Sequence, residues 1–268
     1  MGIVASTRNN VFYIKFLRPF RILLIPFYAK PIAAVNIIAS TNLSVLIKRR
    51  SYAGDGFLTT HFVPWDSDEK LLSAYTSSFE DVPLKYKTLR DTLWRAHIVS
   101  ICANWVKEVQ GDFVELGTWY GILAQTIVRN GDLPSSKKMY LVDAFGQAGF
   151  QMQGVHKRDN YIEDIYETVK NRFKDLPNVA LVRGIVPEIL PEIPVDLISF
   201  LMIDMNSGVP ERLGLEFFWD KISSGGIVYF DDYGQNFPQL RIEIDNFLKD
   251  KSEKLMVFPS GQAILIKK

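Results

Sequence analysis

The stretch GDFVELGTWYGILAQTIV, residues 111–128, decides the fold class of this 268-residue chain. Its first half reads as a short buried strand, and its second half begins a helix. Between the two, the acid Glu115 is followed by Gly117 and Gly121. Because glycine allows tight turns and close approach to bare backbone, this pattern is typical of a strand end where a small ligand docks.

Strands and helices alternate from this stretch to the C-terminus. Further strands are predicted in KMYLVDAF, VALVRG, DLISFLMID and GGIVYFDDY, and the run KLMVFPSGQAILIKK closes as a hairpin. Helices are predicted in NYIEDIYETVKNRF, PERLGLEFFWDKI and PQLRIEIDNFLKD. This alternation, with apolar strands, predicts a doubly wound α/β domain whose seven-stranded sheet has six parallel strands and one antiparallel strand.

Three segments are predicted along the chain. Residues 1–55 form a basic, apolar segment, residues 56–110 a helical lid or cap region, and residues 111–268 the ligand-binding domain. Residues 51–110 are expected to be helical with polar interruptions. The clearest signal is LRDTLWRAHIVSICANWVKEV, whose apolar residues recur at helical spacing.

Charge is divided unevenly between these segments. Residues 1–50 hold eight of the 31 Lys and Arg and none of the 30 Asp and Glu, so the rest of the chain, with 23 basic and 30 acidic residues, carries −7. The apolar run 22–40 is nearly long enough to cross a bilayer, but Lys30 and two prolines argue against a span. Two interpretations stay open: residues 10–50 lie peripherally in a membrane headgroup layer, or they form a helical pair that packs on the main domain or on a second subunit.

The cysteine content indicates which cellular compartment to expect for this protein. The single cysteine, Cys102, excludes an internal disulfide framework and a cysteine-based metal cluster. With no recognisable signal peptide, this favours a cytoplasmic protein, with peripheral attachment to the inner face of a membrane as an alternative. The basic N-terminal segment carries no nucleic-acid-binding motif, so no nucleic-acid partner is expected. A homo-oligomer is a further open alternative.

The glycine turn belongs to neither common nucleotide motif. Its spacing is ExGxxxG rather than GxGxxG, and the chain has no GxxxxGK[ST]. Asp143 ends the next strand, YLVDAF, where an acid can accept hydrogen bonds from both hydroxyls of a ribose. Each feature alone also fits a turn without a ligand or an aspartate that caps a loop. Together they favour a ribose-containing ligand.

Three more carboxylates follow predicted strand ends. Asp204 ends the strand LMID, and Asp231 and Asp232 end the strand in YFDDYG. If both strands lie beside the first one, these carboxylates converge at one rim, where they repel one another unless a proton or a cation is present. Oxygen ligands suit a hard divalent ion, Mg²⁺ best and Ca²⁺ or Mn²⁺ as alternatives. The alternative is that Asp231 or Asp232 caps the next helix or faces solvent.

At this point the chain resembles a known family. The motifs GDFVELGTWYG, YLVDAF, VRGIVPEILP, the strand ending in Asp204 and GGIVYFDDYG are similar to those of class I S-adenosylmethionine-dependent methyltransferases, and within them to the macrocin (TylF/MycF-type) sugar O-methyltransferases. The resemblance covers about residues 90–268 and implies the class I methyltransferase sheet with a helical N-terminal extension.

The resemblance also implies a set of site residues. The glycine turn would hold the amino-acid part of S-adenosylmethionine, Asp143 the ribose, and the loop after it the adenine. Mg²⁺ would be bound by the three carboxylates and would coordinate two neighbouring oxygens of the acceptor. The implied cofactor-binding residues are Glu115, Gly117, Thr118, Gly121, Asp143, Ala144 and Phe145, and the implied metal ligands are Asp204, Asp231 and Asp232.

The general base departs from the family pattern. Relatives often have Asp-x-Asp at the end of the fourth strand, whereas this chain has Asp204-Met205-Asn206, and a neutral amide is no proton acceptor. His156, in a glycine-rich loop, is the substitute candidate; His61 and the metal-ligating Asp204 are alternatives. His97, in a helix flanked by tryptophan, is expected to be structural.

The predicted activity is therefore Mg²⁺-dependent transfer of a methyl group from S-adenosylmethionine to a hydroxyl of a sugar, in a glycan, glycolipid or secondary-metabolite glycoside. Two alternatives are a catechol-type O-methyltransferase that acts on an aromatic diol, and a non-catalytic binding protein on a methyltransferase fold. The retained aspartates and glycine turn argue against the second alternative.

Overall fold

The computed structural model describes residues 51–84, 86, 92–146, 163–235 and 238–268. The chain divides into two compact units, one ending at Phe62 and one comprising Val63–Lys268, and each is described by itself. The expected membrane or packing role of residues 10–50 lies outside the described residues. Within the described part of the chain, no helix is both long enough and apolar enough to span a bilayer.

The described part of the first unit is a β-hairpin. Strands β1 (Tyr52–Gly54) and β2 (Phe57–Thr59) pair antiparallel. They are joined by Asp55 and Gly56, whose φ values of 50° and 73° suit a two-residue turn of the mirror-image type. The prediction of a helical 51–110 is therefore wrong here. An Asp-Gly pair between apolar residues is a strong hairpin signal that helical periodicity further along the chain obscured.

The second unit begins with two helices, α1 (Glu69–Ser77) and α2 (Leu93–Trp105). Asp68 caps α1, because its Oδ1 accepts a hydrogen bond of 2.9 Å from the backbone N–H of Leu71. These two helices confirm the helical prediction for this part of the chain.

A seven-stranded sheet follows, with helices between its strands. The strand order is β5-β4-β3-β6-β7-β9-β8. The elements are β3 (Asp112–Leu116), α3 (Ile122–Asn130), β4 (Met139–Asp143), α4 (Tyr166–Phe173), β5 (Val179–Arg183), β6 (Ile198–Ile203), α5 (Gly208–Phe218), β7 (Ile222–Phe230), α6 (Pro238–Leu248), β8 (Leu255–Val257) and β9 (Ala263–Ile266).

The strand directions confirm the predicted fold class. Strands β3 to β7 pair parallel, and β9 runs antiparallel to both β7 and β8, so six strands share one direction and one opposes them. The chain builds outward from β3 to β5 and then returns to β6 on the other side of β3. Ligands bind in such sheets at the carboxyl ends of the strands where the order reverses, here β3 and β6.

One predicted helix begins later than its sequence suggests. Among the described residues of the stretch NYIEDIYETVKNRF, which begin at Glu163, the helix starts at Tyr166. Asp164 accepts a 3.0 Å hydrogen bond from the backbone N–H of Tyr166 and pairs with Arg183 at 2.7 Å. An aspartate that bonds the backbone two residues ahead favours a turn over a continuing helix.

Both faces of the sheet are buried. Alternate residues of the strands enter two hydrophobic clusters, for example Phe200 and Met202 on one face and Leu201 and Ile203 on the other. Because each central strand is covered on both sides, its sequence is a continuous apolar run rather than an alternating one.

Lys137 stabilises one edge of the sheet. This edge is opposite to the carboxyl ends of the strands, where the acidic residues lie. Its side chain is buried, and its Nζ donates to the backbone oxygen of Gly111 at 2.7 Å, to Oγ of Ser199 at 3.2 Å and to the backbone oxygen of Val109. One ammonium group thus satisfies acceptors at the starts of β3 and β6, the two strands that flank the reversal of strand order.

Replacing Lys137 with methionine should lower the free energy of unfolding by about 1–3 kcal/mol, because buried acceptors lose their donor while the chain volume is nearly kept. Urea denaturation measures this loss. Lys138→Met is the matched control, since the adjacent lysine side chain is exposed and its loss should change stability little. Equal stabilities of the two variants would contradict the role of Lys137.

Candidate functional site

The register of the parallel strands places four sequence-predicted residues in one row. Leu116 is paired with both Val142 and Ile203, and Ile203 is paired with Phe230. The residues that follow these four positions along the chain therefore lie side by side at the carboxyl edge of the sheet. They are Gly117, Asp143, Asp204 and Asp231.

Gly117 allows the end of β3 to approach the end of β6. Its φ is +89°, and a Cβ atom there would lie 1.9 Å from the backbone oxygen of Asp204. Two hydrogen bonds of 2.8 Å fix this approach, from Gly117 N–H to the oxygen of Val142 and from Asp204 N–H to the oxygen of Leu116. The missing side chain is therefore required by the fold as well as by any ligand.

Gly121 has a packing role that the turn pattern did not predict. At φ +69° it begins α3, and a Cβ atom would lie 2.7 Å from the ring of Phe173 on α4. Because Gly121 has no side chain, the ring of Phe173 can pack against it. A contact of Gly121 with the cofactor stays a prediction.

Buried polar atoms without hydrogen-bond partners among the described residues lie from the end of β3, through the turn, to the first half of α3: Glu115 Oε2, Thr118 Oγ1, Trp119 Nε1 and Gln125 Oε1. Glu115 is 2% exposed, and burial together with the nearby Asp204 raises its pKa well above the ordinary value. An unpaired buried polar atom costs about 1–3 kcal/mol, so such a group in one turn indicates a site that a ligand completes.

Asp143 holds the turn and its own loop in place. Its Oδ2 accepts a 2.8 Å hydrogen bond from the N–H of Trp119, and its Oδ1 one of 2.6 Å from the N–H of Phe145. Burial raises the pKa of Asp143, and these two hydrogen bonds oppose that rise. Both donors have φ near +49°, which is costly for bulky residues, so the carboxylate stabilises two strained positions.

The other predicted cofactor-binding residues lie around this carboxylate. Thr118 is buried and donates its N–H to the oxygen of Val142 at 3.3 Å. Ala144 and Phe145 are buried, and the ring of Phe145 packs edge-on against Tyr166 with centroids 5.6 Å apart.

The three carboxylates converge as predicted. One oxygen of each of Asp204, Asp231 and Asp232 lies within 4.8 Å of the others. Asp231 and Asp232 are almost fully buried, and Asp204 is partly buried. Carboxylate oxygens are the ligands that a hard divalent cation prefers.

Arg95, on the first turn of α2, also reaches this cluster. Its Nη1 contacts Oδ2 of Asp231 and lies 3.1 Å from Oδ1 of Asp232. The other oxygen of Asp231 accepts a hydrogen bond from the hydroxyl of Tyr229. Sequence reasoning missed Arg95, because a lone arginine in an apolar helix reads as a solvated residue unless the packing of that helix over the rim is known.

A fourth carboxylate lies behind the cluster. Glu211 of α5 is buried, and its Oε1 accepts hydrogen bonds from the N–H groups of Met205 at 3.2 Å and Ser207 at 3.4 Å. Burial raises its pKa well above the ordinary value, and Asp232 and Asp204 raise it further. Glu211 therefore orders the loop after β6. Its position at the start of a helix was the only sequence signal.

Asn206 contacts the cluster as a donor. Its Nδ2 donates to Oδ1 of Asp204 at 3.2 Å, and its φ is +54°. An amide that donates a hydrogen bond to Asp204 cannot accept a proton from a substrate, in agreement with the sequence interpretation.

The three histidines differ in what the structure shows. His97 packs against the rings of Trp65 and Trp94, with centroids 6.3 and 5.8 Å away, and burial lowers its pKa, partly opposed by Asp68. This agrees with the expected structural role. His61 belongs to the first unit, and His156 lies outside the described residues.

With this geometry in hand, comparisons with known proteins identify the family. Residues 91–256 match the profile of the macrocin-O-methyltransferase (TylF) family. The chain belongs to this family. The predicted O-methyltransferase type is thereby confirmed at the level of the family.

Individual relatives are more distant. Demethyldecarbamoylnovobiocin O-methyltransferase from Streptomyces niveus is 28% identical over 141 residues, which are 47% of this chain and 53% of that protein. The chain thus matches about half the length of this curated relative.

Solved structures share the fold. The O-methyltransferase NovP has a TM-score of 0.62 at 20% identity, covering 75% of this chain and 97% of its own. CalS11, described as a TDP-rhamnose 3'-O-methyltransferase of calicheamicin biosynthesis, has a TM-score of 0.50 at 19% identity, covering 77% and 96%. These likenesses confirm the class I methyltransferase architecture.

Glu211 makes the macrocin-family domain pH-sensitive in a defined direction. Since its folded-state pKa lies above the ordinary 4.5, the folded carboxyl keeps its proton at pH values where the unfolded chain has lost it. The contribution of Glu211 to stability is therefore full below pH 4.5 and declines as the pH rises toward the folded-state pKa. Glutamine keeps the acceptor oxygen and does not titrate, so Glu211→Gln should gain stability over the wild type as the pH rises.

Urea denaturation over a pH series, in buffer with a chelator, measures this difference. Glu192→Gln is the control, because Glu192 is exposed and its curve should run parallel to the wild type. A parallel curve for Glu211→Gln as well would show that the buried carboxyl is not protonated in the folded state.

Proposed function

We propose that this chain transfers a methyl group from S-adenosylmethionine to a hydroxyl of a sugar-containing acceptor, with Mg²⁺ held by Asp204, Asp231 and Asp232. The observation that carries the proposal is the row at the carboxyl edge of the sheet. Strand register puts the turn with its unpaired polar atoms directly beside the converging carboxylates. A methyl donor and an activated hydroxyl must meet at such a distance for in-line displacement.

The residues of the turn fit the cofactor. Glu115 and Trp119 offer buried polar atoms that lack partners among the described residues, and Gly117 keeps the backbone bare. Each oxygen of Asp143 uses one lone pair on a backbone N–H and has another for a ribose hydroxyl. The adenine would lie near Ala144 and Phe145, which follow Asp143 in the same loop.

The acidic cluster fits a divalent cation. Three carboxylate oxygens within 4.8 Å of one another repel strongly in a buried setting, and a hard cation with oxygen ligands relieves that repulsion. When bound, S-adenosylmethionine supplies an electrophilic methyl group, and Mg²⁺ lowers the pKa of the acceptor hydroxyl and orients it.

The side chains of the protein prepare the site for this chemistry. Glu211 and Asn206 fix the loop that carries Asp204, and Asp143 fixes the turn that faces it. The acceptor proton needs a base other than Asn206. We assign this role to His156, with Asp204 as the alternative.

The acceptor class is inferred from the family and its relatives. The relatives are named for the methylation of demethyldecarbamoylnovobiocin and of TDP-rhamnose, which favours a sugar hydroxyl over a catechol. Glycans, glycolipids and glycosides of secondary metabolites all carry such hydroxyls. The glycolipid acceptor goes together with membrane contact through residues 10–50.

Asp143→Ala should weaken the binding of S-adenosylmethionine by about 10–100-fold, the range that corresponds to losing hydrogen bonds to a charged group. Isothermal titration calorimetry measures it. Asp112→Ala is the matched control, because Asp112 also accepts a backbone hydrogen bond, from Lys138 at 2.9 Å, but at the start of β3. An unchanged affinity of Asp143→Ala for S-adenosylmethionine would contradict the proposed contact between Asp143 and the ribose.

Asp204→Asn should leave the binding of S-adenosylmethionine intact. It should reduce methyl transfer by more than roughly 10–100-fold, which is the usual loss when a residue that only supports a metal ligand is replaced. Mass spectrometry should detect the gain of one CH₂ on sugar acceptors, tested beside a catechol. Full activity of Asp204→Asn would exclude the metal role. Transfer to the catechol alone would support the aromatic alternative.

A further inference from the structure

We propose that Arg95 is a built-in cation that competes with the divalent metal for Asp231 and Asp232, so that metal binding requires this guanidinium to leave the carboxylate pair. The inference rests on the proposed metal site and adds a residue of this chain that sets its affinity.

The position of Arg95 is that of a bridging cation. A metal shared by two carboxylates must lie close to one oxygen of each. Nη1 of Arg95 does so already, since it contacts Oδ2 of Asp231 and lies 3.1 Å from Oδ1 of Asp232. A magnesium ion needs its oxygen ligands at about 2.0–2.1 Å, so it cannot occupy the space that this nitrogen fills.

The pairing of Asp231 makes the competition direct. One oxygen of its carboxylate accepts from the Tyr229 hydroxyl and the other contacts Arg95. Tyr229 is fully buried in the core, whereas the side chain of Arg95 is 15% exposed. Of these two partners Arg95 is the one that can move, because its head group lies on a long flexible stem that is partly exposed.

Charge explains why a metal can displace it. One guanidinium brings a single positive charge to three carboxylates, and the hydrogen bond that Asp204 accepts at Oδ1 from Asn206 comes from a neutral amide. A divalent ion neutralises more of the repulsion and reaches all three ligands. Arg95 therefore keeps the buried pair compatible with folding in the absence of metal, at the cost of weaker metal affinity.

Arg95→Gln should bind Mn²⁺ at least about tenfold more tightly than the wild type, a factor equal to about 1.4 kcal/mol. Electron paramagnetic resonance of free Mn²⁺, on the full chain without S-adenosylmethionine or acceptor, measures this affinity, and calorimetry with Mg²⁺ repeats it. In chelator the variant should melt below the wild type, and saturating metal should raise its Tm by more than it raises that of the wild type.

Arg172→Gln is the matched control. Arg172 is a buried arginine that bonds the oxygen of Ser78 at 2.8 Å and pairs with Asp81, outside the carboxylate cluster. It should lose stability without any change in metal affinity. If Arg95→Gln does not fold, Arg95→Met replaces it, because methionine keeps an apolar stem at this position, removes the positive charge and should also give tighter metal binding.

Unchanged or weaker Mn²⁺ binding in the Arg95 variants would overturn the competition and leave the proposed metal site standing. Absence of binding in wild type and variants alike would overturn both the competition and the metal part of the proposed function. Calorimetry with S-adenosylmethionine then tests the cofactor part independently. Mn²⁺ binding by the Arg95 variants and not by the wild type would give the strongest support for the competition between Arg95 and the metal.

Discussion

Repulsion among carboxylates at one edge of the sheet is the constraint to which the surrounding structure responds. Parallel strands in register bring Asp204 and Asp231 side by side, and Asp232 joins them within 4.8 Å. Little water reaches the buried pair, so its charge has to be balanced from within or by a ligand. The guanidinium of Arg95 and the amide of Asn206 supply part of that balance. A divalent cation would supply the rest.

The same edge depends on how closely β3 approaches β6. A side chain at Gly117 would overlap the carbonyl of Asp204, so the two strand ends can meet only because this position is bare. The carboxylate of Asp143 then holds the turn from the other side through Trp119. The geometry that favours a cofactor beside the carboxylates thus follows from backbone contacts between neighbouring strands.

The sequence predicted the sheet and the row of acids because both depend on local patterns: apolar runs of strand length, each ended by an acid or a glycine. It did not predict Arg95 or Glu211, because their roles depend on which helix face packs against the rim. The turn at Asp55 was readable in the sequence and was overlooked. The packing role of Gly121 depends on a ring more than forty residues away, which no local pattern contains.

At Asn206, charge rather than backbone shape distinguishes the amide from an aspartate. At φ +54° either asparagine or aspartate is tolerated, so conformation alone does not require the amide. An aspartate there would place a further negative charge beside Asp204, in a region where burial and then the neighbouring Asp232 and Asp204 already raise the pKa of Glu211. The amide instead donates a hydrogen bond to Oδ1 of Asp204. Under the proposed function, the acceptor proton therefore needs a base other than Asn206.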